Sequence, residues 1–121
     1  MAHLFVYGTL KSTFQNKFAR RLAREATLLG PARMAGRLFR IRWYPGLRPA
    51  RESTDWVTGE LYRLRMPQRT LAALDRYEAK QYRRVRREAV LANGEILWCW
   101  VYLWGLPLSE HRRIVSGDWT G

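Results

Sequence analysis

The sequence predicts an α+β fold, a small mixed β-barrel with one or two flanking helices. Segments with strand character outnumber those with helical character, and they are too many and too short for a doubly wound parallel sheet. The chain has 121 residues, enough for one domain with a proper core and too few for two of ordinary size. We therefore expect residues 1–121 to form a single domain.

The first predicted strand covers residues 4–11 and stops abruptly at Gly8-Thr9. Its large apolar residues show no polar alternation before Thr9, which is typical of a strand covered on both faces. Where a buried strand ends on such a turn, backbone N–H groups can face outward and hold an anionic group such as a carboxylate. A simple turn without a ligand is the alternative interpretation of Gly8-Thr9.

Two helices are predicted. Asn16 is the expected N-cap of the first, an amphipathic helix. Its apolar residues are spaced by four: Phe14, Phe18 and Leu22. The second helix begins at Pro67, because the missing N–H of a proline would be unpaired in a first turn in any case. Leu71, Leu74 and Glu78 share one face of that second helix.

Between the helices the pattern predicts strands separated by turns. Residues 27–30 form a possible short strand broken at Pro31, and residues 34–43 end in the alternation of a half-buried strand. A turn is predicted at residues 44–46, where a proline precedes a glycine. Residues 47–55 have no periodicity, so we expect a loop over one end of the molecule that acts as the specificity element.

A β-hairpin is the clearest local prediction in the second half of the chain. Residues 56–64 first resume strand character, and residues 82–91 and 95–104 then flank Asn93-Gly94. Asn-Gly is the strongest short-range hairpin signal, because a type I′ turn needs positive φ at both central positions. We therefore expect two paired antiparallel strands joined by a two-residue turn.

The chain is strongly basic, with 22 Lys and Arg against 10 Asp and Glu, a formal net charge of +12. Such a balance raises the hypothesis of nucleic-acid binding, since phosphate contacts dominate that affinity. Trp98, Trp100 and Trp104 fall on one face of a strand, a pattern that core filling explains at least as readily as base stacking. Nucleic-acid binding is therefore the less favoured alternative.

Cysteine usage and apolar run lengths exclude several protein classes. The single cysteine, Cys99, excludes an internal disulfide and is interpreted as a packed thiol on a strand. No His or Cys cluster has metal-ligand spacing, so no metal and no cofactor are predicted. The N-terminus lacks a signal-peptide pattern and the apolar runs are strand-sized, which favours a cytoplasmic protein without a membrane span. Oligomeric state cannot be read from the sequence.

Glu78 is the strongest candidate for chemistry. It lies within the apolar stripe of its helix and near the helix C-terminus. The helix dipole disfavours an anion there, and burial acts in the same direction, so both raise the carboxyl pKa toward the range that a general acid/base needs. The alternative is an ordinary glutamate paired with Lys80, Arg83 or Arg84.

The remaining titratable residues are weaker candidates. Glu60, on a strand surrounded by arginines in the sequence, is interpreted as a structural ion pair. Asp75 is expected to stabilise the surface of its helix. His3 and His111 have no evident partners, and no nucleophilic triad can be assembled.

Five segments together resemble the γ-glutamylcyclotransferase-like superfamily, and in particular its γ-glutamylamine cyclotransferase-like branch. They occur in the order of that family and reach from one end of the chain to the other. The segments are Phe5-Val6-Tyr7-Gly8-Thr9-Leu10-Lys11, Tyr44-Pro45-Gly46-Leu47, Gly59-Glu60-Leu61-Tyr62, Leu74-Asp75-Arg76-Tyr77-Glu78 followed by Tyr82, and Ser116-Gly117-Asp118-Trp119. Ala79 departs from the family pattern, which usually has glycine after the glutamate.

The resemblance implies an enzyme that cyclises a γ-glutamyl compound to 5-oxoproline and releases an amine. It implies Glu78 as the catalytic glutamate and a substrate-holding loop at Tyr7, Gly8, Thr9 and Leu10. Tyr82, Tyr7 and Tyr44 are expected to orient the carbonyl or carboxylate by donating hydroxyl hydrogens. Tyr44 and Tyr82 thus join the four loop residues as the expected substrate contacts.

The resemblance leaves the substrate open among glutathione, γ-glutamyl amino acids and γ-glutamylamines. A single carboxyl group with a raised pKa could take a proton from the attacking amine and deliver one to the departing nitrogen, without a metal or a covalent intermediate. The alternative from another class is a non-catalytic small-ligand or nucleic-acid-binding module on the same fold.

Overall fold

The computed structural model describes residues 1–121 except for the side chain of Ala79, so the departure from the family pattern at that position lies outside the described residues. The main elements follow one another along the chain. They are β1 (His3–Val6), α1 (Lys17–Glu25), β2 (Ala26–Ala35), β3 (Arg37–Arg40), β4 (Pro45–Arg48), β5 (Trp56–Leu64), α2 (Pro67–Glu78), β6 (Tyr82–Leu91), β7 (Ile96–Trp104) and β8 (Arg113–Ile114), with short 3₁₀ turns at Ala79–Gln81 and Glu110–Arg112.

Strands β1, β5, β2, β6 and β7 form a closed barrel in that order. The barrel is mixed, because β1 pairs with β7 in parallel and the other neighbours are antiparallel. Strands β4, β3 and β8 form a separate three-stranded sheet. With α1 and α2 beside the barrel, the predicted α+β fold with a small mixed barrel and flanking helices is confirmed.

Strand β1 is buried on both faces, as its unbroken apolar run predicts. Phe5 belongs to the core cluster that fills the barrel, together with Leu61 and Val101. Leu4 and Val6 belong instead to the second cluster, to which both helices contribute. None of the helices that the structure describes has the length and apolar composition needed to cross a bilayer.

Both helix predictions are confirmed. α1 has Asn16 as its N-cap, whose side-chain oxygen accepts hydrogen bonds from the N–H groups of Phe18 (3.1 Å) and Ala19 (2.8 Å). These bonds satisfy two of the N–H groups that a helix start otherwise leaves unpaired. α2 begins at Pro67, and its residues Leu71 and Leu74 are buried.

The prediction that Pro31 breaks a short strand is wrong. β2 continues through Pro31 to Ala35 and pairs with β5 along this whole length. The register shifts between Leu28 and Gly30, which marks a β-bulge immediately before the proline. Because a bulge leaves one residue out of the ladder and re-aims the chain, it is one of the places where a strand tolerates proline.

The strand predicted over residues 34–43 is divided between two strands in the structure, and the prediction placed its end too far along the chain. β2 stops at Ala35 and β3 stops at Arg40. The N–H groups of Ile41 and Arg42 both donate to the Tyr44 carbonyl, at 3.0 and 3.3 Å, so the chain turns at 41–44. The predicted turn at 44–46 is therefore wrong: residues from Pro45 onward form β4 and pair with β3. The loop predicted over residues 47–55 is therefore shorter in the structure, because β4 extends to Arg48.

The predicted hairpin is confirmed in its strands and wrong in its turn type. β6 and β7 pair in register from Tyr82↔Trp104 to Val90↔Ile96. The Leu91 N–H donates to the Glu95 carbonyl at 2.9 Å, and Gly94 has a φ of 90°. This pattern is a three-residue loop with glycine in the left-handed region, so one residue more separates the strands than a type I′ turn allows.

We predict that Gly59→Ala destabilises the barrel strongly. A Cβ atom at Gly59 would lie 2.3 Å from the Val6 carbonyl oxygen and 2.7 Å from Cζ of Phe5, so β1 would have to move away from β5. The free energy of unfolding should fall by at least about 2 kcal/mol, measured by urea denaturation. Thr58→Val, at an exposed position of the same strand, is the control and should change it by less than about 0.5 kcal/mol.

Candidate active site

A cavity of about 240 Å³ opens at one end of the barrel. It lies where β1 and β7 finish and β6 begins, and the 41–44 turn and the end of α2 close its sides. The residues that line it are Phe5, Val6, Tyr7, Gly8, Thr9, Leu10, Trp43, Tyr44, Pro45, Tyr77, Glu78, Gln81, Tyr82, Tyr102 and Trp104. The described fold thus brings together residues that are up to about a hundred positions apart in the sequence.

All seven site residues predicted from the sequence line this cavity. The first strand and its turn contribute Tyr7, Gly8, Thr9 and Leu10, and the other three are Tyr44, Glu78 and Tyr82. The predicted specificity loop does not contribute, since the cavity-lining residues in this part of the described chain end at Pro45. Trp43, in the turn just before, occupies the rim instead.

Sequence reasoning missed several lining residues. Trp104 and Tyr102 could have been found from the hairpin, because its register pairs Tyr82 with Trp104 and places Tyr102 two residues away on the same face. Gln81 and Trp43 carry only the weaker signal of standing next to predicted site residues.

Glu78 is the last residue of α2, half-buried, with its side chain in the wall of the cavity. Burial raises the pKa of its carboxyl group from 4.5 to about 7, in the predicted direction. Among the side chains that the structure describes, none forms an ion pair or a hydrogen bond with this carboxylate. The alternative of an ion pair with Lys80, Arg83 or Arg84 is therefore wrong, and Arg84 binds another acid.

That acid is Asp75, one turn before Glu78 in α2. Arg84 donates to both of its oxygens, at 2.9 and 3.1 Å, and the Tyr102 hydroxyl donates to Oδ1 at 2.7 Å. Hydrogen bonding from Arg84 is the largest cause that lowers the pKa of Asp75. The residue therefore does more than stabilise the helix surface, because it ties α2 to β6 and β7 beside the cavity.

The turn after β1 lines the cavity with Gly8, Thr9 and Leu10. No hydrogen bond in the described part of the chain uses the N–H groups of Gly8, Thr9 or Leu10. A Cβ atom at Gly8 would lie 2.6 Å from Cγ of Pro45, so only glycine lets this turn pack against β4. A concave set of amides at this turn, which would suit a carboxylate, stays a prediction.

Two side-chain contacts fix the same turn from outside. The Lys11 ammonium donates to the Trp119 carbonyl at 2.6 Å and lies 3.3 Å from Asp118. Glu60 accepts hydrogen bonds from the Ser12 N–H at 2.6 Å and from the Ser12 hydroxyl at 2.7 Å. The expected ion pair of Glu60 with arginine is therefore wrong, because this carboxylate instead caps the loop that follows Leu10.

The hydroxyl hydrogens of two predicted tyrosines are already committed. Tyr7 donates to the Tyr102 carbonyl and Tyr82 to the Pro45 carbonyl, each at 2.6 Å. A carbonyl oxygen can only accept, so both hydroxyl hydrogens are used within the protein, and donation by either tyrosine to a substrate stays a prediction that requires its bond to break. The Tyr82 oxygen can still accept a hydrogen bond, whereas the backbone of Leu47 already hydrogen-bonds the Tyr7 oxygen. Burial raises the pKa of both phenols well above 10.0, so they stay neutral near pH 7.

The three tryptophans of β7 have different environments. Trp104 is buried in the cavity wall, whereas Trp98 is 56% exposed and Trp100 is half-buried. The guanidinium groups of Arg84 and Arg86 lie 4.4 and 5.7 Å from the Trp100 ring, a cation–π arrangement. Core filling therefore holds for Trp104 and not for Trp98.

Cys99 is a packed thiol, as predicted. It is 2% exposed, and burial raises its pKa to about 12, which leaves it protonated and unreactive at neutral pH. Within the described residues, no group of three or more His, Cys, Asp or Glu side chains converges as metal ligands do.

Comparison with known proteins places this geometry in context. Residues 4–121 match the family model described as gamma-glutamyl cyclotransferase, AIG2-like. No curated protein sequence matches the chain.

Solved structures share the fold. YkqA from Bacillus subtilis is 25% identical with a TM-score of 0.76, the alignment covering 98% of this chain and 39% of that one. This chain therefore spans well under half the length of YkqA. An AIG2-like protein from Mus musculus is 25% identical with a TM-score of 0.73, covering 93% of this chain and 82% of that one. A gamma-glutamyl cyclotransferase at 16% identity and a TM-score of 0.63, covering 86% and 66%, shares the fold alone.

We predict that Glu78→Gln removes a pH dependence of stability. The unfolded chain releases this proton near pH 4.5 and the folded protein only near pH 7, so between these values the folded state binds more protons. Stability of the unchanged protein should therefore fall as pH rises through this window, by roughly 3 kcal/mol at most relative to Glu78→Gln. Urea denaturation from pH 4 to 8 measures the difference.

The control for that experiment is Glu88→Gln, at an exposed position of β6. It should follow the unchanged protein at every pH. A Glu78→Gln protein whose stability runs parallel to that of the control across the window would contradict the raised pKa.

Proposed function

Since the chain belongs to the AIG2-like gamma-glutamyl cyclotransferase family, we propose that it cyclises the γ-glutamyl moiety of a small γ-glutamyl amine or peptide to 5-oxoproline and releases an amine. Family and fold support a cyclotransferase-like enzyme with a small-molecule substrate. The observation that carries the finer proposal is the Glu78 carboxyl group, with a pKa raised to about 7, in the same cavity as the free N–H groups of the first turn.

Glu78 moves the proton that this reaction requires. The α-amine of a γ-glutamyl compound is protonated near neutrality and cannot attack until a base removes a proton. The Glu78 carboxylate accepts that proton, the amine nitrogen bonds to the γ-carbon, and the resulting acid delivers the proton to the departing nitrogen as its bond to that carbon breaks. The ring nitrogen then releases its second proton to the regenerated carboxylate, which passes it to the released amine, so that 5-oxoproline keeps one N–H and the amine leaves as an ammonium ion. A pKa of about 7 gives both protonation states substantial populations at neutral pH.

The turn after β1 holds the other end of the substrate. In the proposed complex, the N–H groups of Gly8, Thr9 and Leu10 bind the α-carboxylate, and this places the neighbouring amine toward Glu78. Because nucleophile and carbonyl belong to one molecule, holding the chain folded supplies much of the acceleration.

The tyrosines have different roles in this proposal. The oxygen of Tyr82, whose hydrogen is used by the Pro45 carbonyl, can accept a hydrogen bond from the substrate's α-ammonium group. Tyr7 lines the cavity with its hydroxyl held between the Tyr102 carbonyl and the Leu47 backbone. The Tyr44 hydroxyl has no hydrogen bond within the described residues, so it is the tyrosine that can donate to the γ-carbonyl oxygen.

Two further predictions from the sequence accompany this proposal. Residues 1–121 act as one domain, and the enzyme works in the cytoplasm. Both stay predictions, as does the identity of the γ-glutamyl compound among the candidates named above.

We predict that Glu78→Gln abolishes turnover and leaves binding nearly intact. Glutamine keeps the size of the side chain and loses the ability to carry the proton, so release of 5-oxoproline should fall at least roughly a hundredfold. The measurement is 5-oxoproline formed from a panel of γ-glutamyl amides and peptides, with calorimetric binding of the same compounds. In the unchanged protein, kcat/KM should rise with pH through about 7, because the base must be ionised.

Glu88→Gln is again the matched control and should retain full activity. Full turnover by Glu78→Gln would remove this residue from the mechanism. Absence of 5-oxoproline from every compound, with binding retained, would favour the non-catalytic ligand-binding alternative.

Nucleic-acid binding is a second candidate, favoured by the exposed Trp98 beside Arg86 on the outer face of β6 and β7. Stacking of bases on Trp98 and phosphate contacts from Arg86 would give tight binding of single-stranded RNA that falls steeply with salt. Titrations of single-stranded RNA into the unchanged protein and into Trp98→Ala, each at about 50 and about 200 mM salt, test this candidate function. Equal binding by both proteins excludes this role for the surface.

A further inference from the structure

Four aromatic rings form a continuous surface along one side of the cavity, which we call the aromatic wall. Its members are Trp43, Tyr44, Trp104 and Tyr82. Trp43 contacts Tyr44 edge-on with 5.0 Å between ring centroids, Tyr44 and Trp104 lie 6.4 Å apart, and Trp104 meets Tyr82 edge-on at 5.1 Å. Each separation is within the range in which aromatic rings attract one another.

The aromatic wall leads from solvent to the proposed reaction centre. Trp43, at its outer end, is 68% exposed, whereas Trp104 is 7% exposed. Tyr82, at the inner end, lines the same cavity as Glu78, and the charge of Glu78 contributes to raising the Tyr82 pKa. A group that leaves the reaction centre toward solvent can therefore follow this surface.

Trp43 is exposed and yet anchored. It lies in the 41–44 turn, where two N–H groups donate to the Tyr44 carbonyl, and its ring rests on the Tyr44 ring. A large indole held at the rim of a cavity with most of its surface in water is available to cover an apolar ligand group.

The cavity is poor in positive charge, although the chain is rich in it. The chain has 22 Lys and Arg residues, but none of them is among the cavity-lining residues in the described part of the structure. Among the lining residues in the described part of the structure, Glu78 carries an acidic side chain. A leaving group with a carboxylate next to its nitrogen, such as an amino acid or a dipeptide, would find no cationic side chain there and would face Glu78.

Building on the proposed function, we propose that the released amine carries an uncharged aromatic ring and no carboxylate, with its ring on the aromatic wall and Trp43 as the outermost contact. The reaction stays balanced without a co-reactant. The α-nitrogen bonds to the γ-carbon, the bond from that carbon to the amine nitrogen breaks, and two protons of the α-ammonium group end on the departing amine, which leaves as an ammonium ion. Trp43 is then a specificity-determining residue.

Three substrates that differ in the leaving group test the proposal: γ-glutamylbenzylamide, γ-glutamylmethylamide and γ-glutamylglycine. We expect the benzylamide to have a kcat/KM at least roughly tenfold above that of either other compound, since only its ring gains contact with the aromatic wall. A preference for γ-glutamylglycine, or equal values for all three, would overturn the proposal.

Substitution of Trp43 provides the second arm. Trp43→Ala should raise KM for the benzylamide roughly tenfold with little change in kcat, because it removes binding that substrate and transition state share. The methylamide should be unaffected, and Trp43→Phe should recover most of the loss. Trp56→Ala, which removes a partly exposed indole outside the cavity, is the matched control. An unchanged KM for the benzylamide in Trp43→Ala would contradict the role of Trp43.

Binding to Glu78→Gln separates this proposal from the proposed function. Calorimetry with the benzylamide should show binding that is weakened roughly tenfold when Trp43→Ala is added. If the benzylamide shows this Trp43-dependent binding and the unchanged protein does not turn it over, cyclisation is refuted and the aromatic ligand class is supported. Turnover of all three amides that Trp43→Ala does not change would support cyclisation and refute the aromatic ligand class. Absence of benzylamide binding would also refute the aromatic ligand class.

Discussion

The contacts of Asp75 determine where the cavity's acidic group lies. Tyr102 and Arg84 both bind this carboxylate, so the last turn of α2 is joined to β7 and β6. Tyr102 also accepts the Tyr7 hydroxyl hydrogen through its backbone carbonyl, which joins the end of β1 to the same place. Because Glu78 follows Asp75 by three residues, fixing Asp75 against the barrel fixes Glu78 beside the first turn. Arg84 is thereby occupied with Asp75, and Glu78 is left without a cation that would lower its pKa.

The burial that raises the pKa of Glu78 also has a cost in stability. A carboxyl group with a pKa near 7 is disfavoured in its charged form by its surroundings, and at neutral pH the folded state carries that penalty while the unfolded chain does not. An ion pair from one of the many arginines would relieve the penalty and would return the pKa toward its ordinary range. Arg84 and Arg69 instead pair with Asp75 and Glu25, respectively. The cavity therefore accepts lower stability in return for a carboxyl group that can hold and release a proton near pH 7, a trade that is common at functional sites.

Periodicity and turn chemistry were sufficient to predict the barrel, both helices and the hairpin strands, because those elements are specified by local residues such as Asn16, Pro67 and Asn93-Gly94. They failed where tertiary contacts decide. The bulge before Pro31 permits a strand that the proline alone argues against, and pairing with β3 converts the predicted turn at Pro45 into β4. The sequence could not show for the same reason that the hydroxyl hydrogens of Tyr7 and Tyr82 are used within the protein, since their acceptors are backbone carbonyls far away in the sequence. Glu78 could be found from helical spacing, whereas Trp43 could not, because nothing local distinguishes a rim indole from a core one.

The short motifs of the sequence acquire their meaning from how they meet, and Pro45 shows this most clearly. Its ring occupies the space that a side chain at Gly8 would need, its carbonyl accepts the Tyr82 hydroxyl hydrogen at 2.6 Å, and the neighbouring Gly46 leaves room for Trp104, which a Cβ atom would approach to 2.8 Å. One segment thus contacts the end of β1, the start of β6 and the end of β7. These are the three strand ends that surround the cavity. A larger residue at Gly8 or Gly46 would separate the amide-bearing turn from the aromatic wall, even though neither glycine carries a reactive group. The spacing of the cavity therefore depends on residues whose contribution is the absence of a side chain.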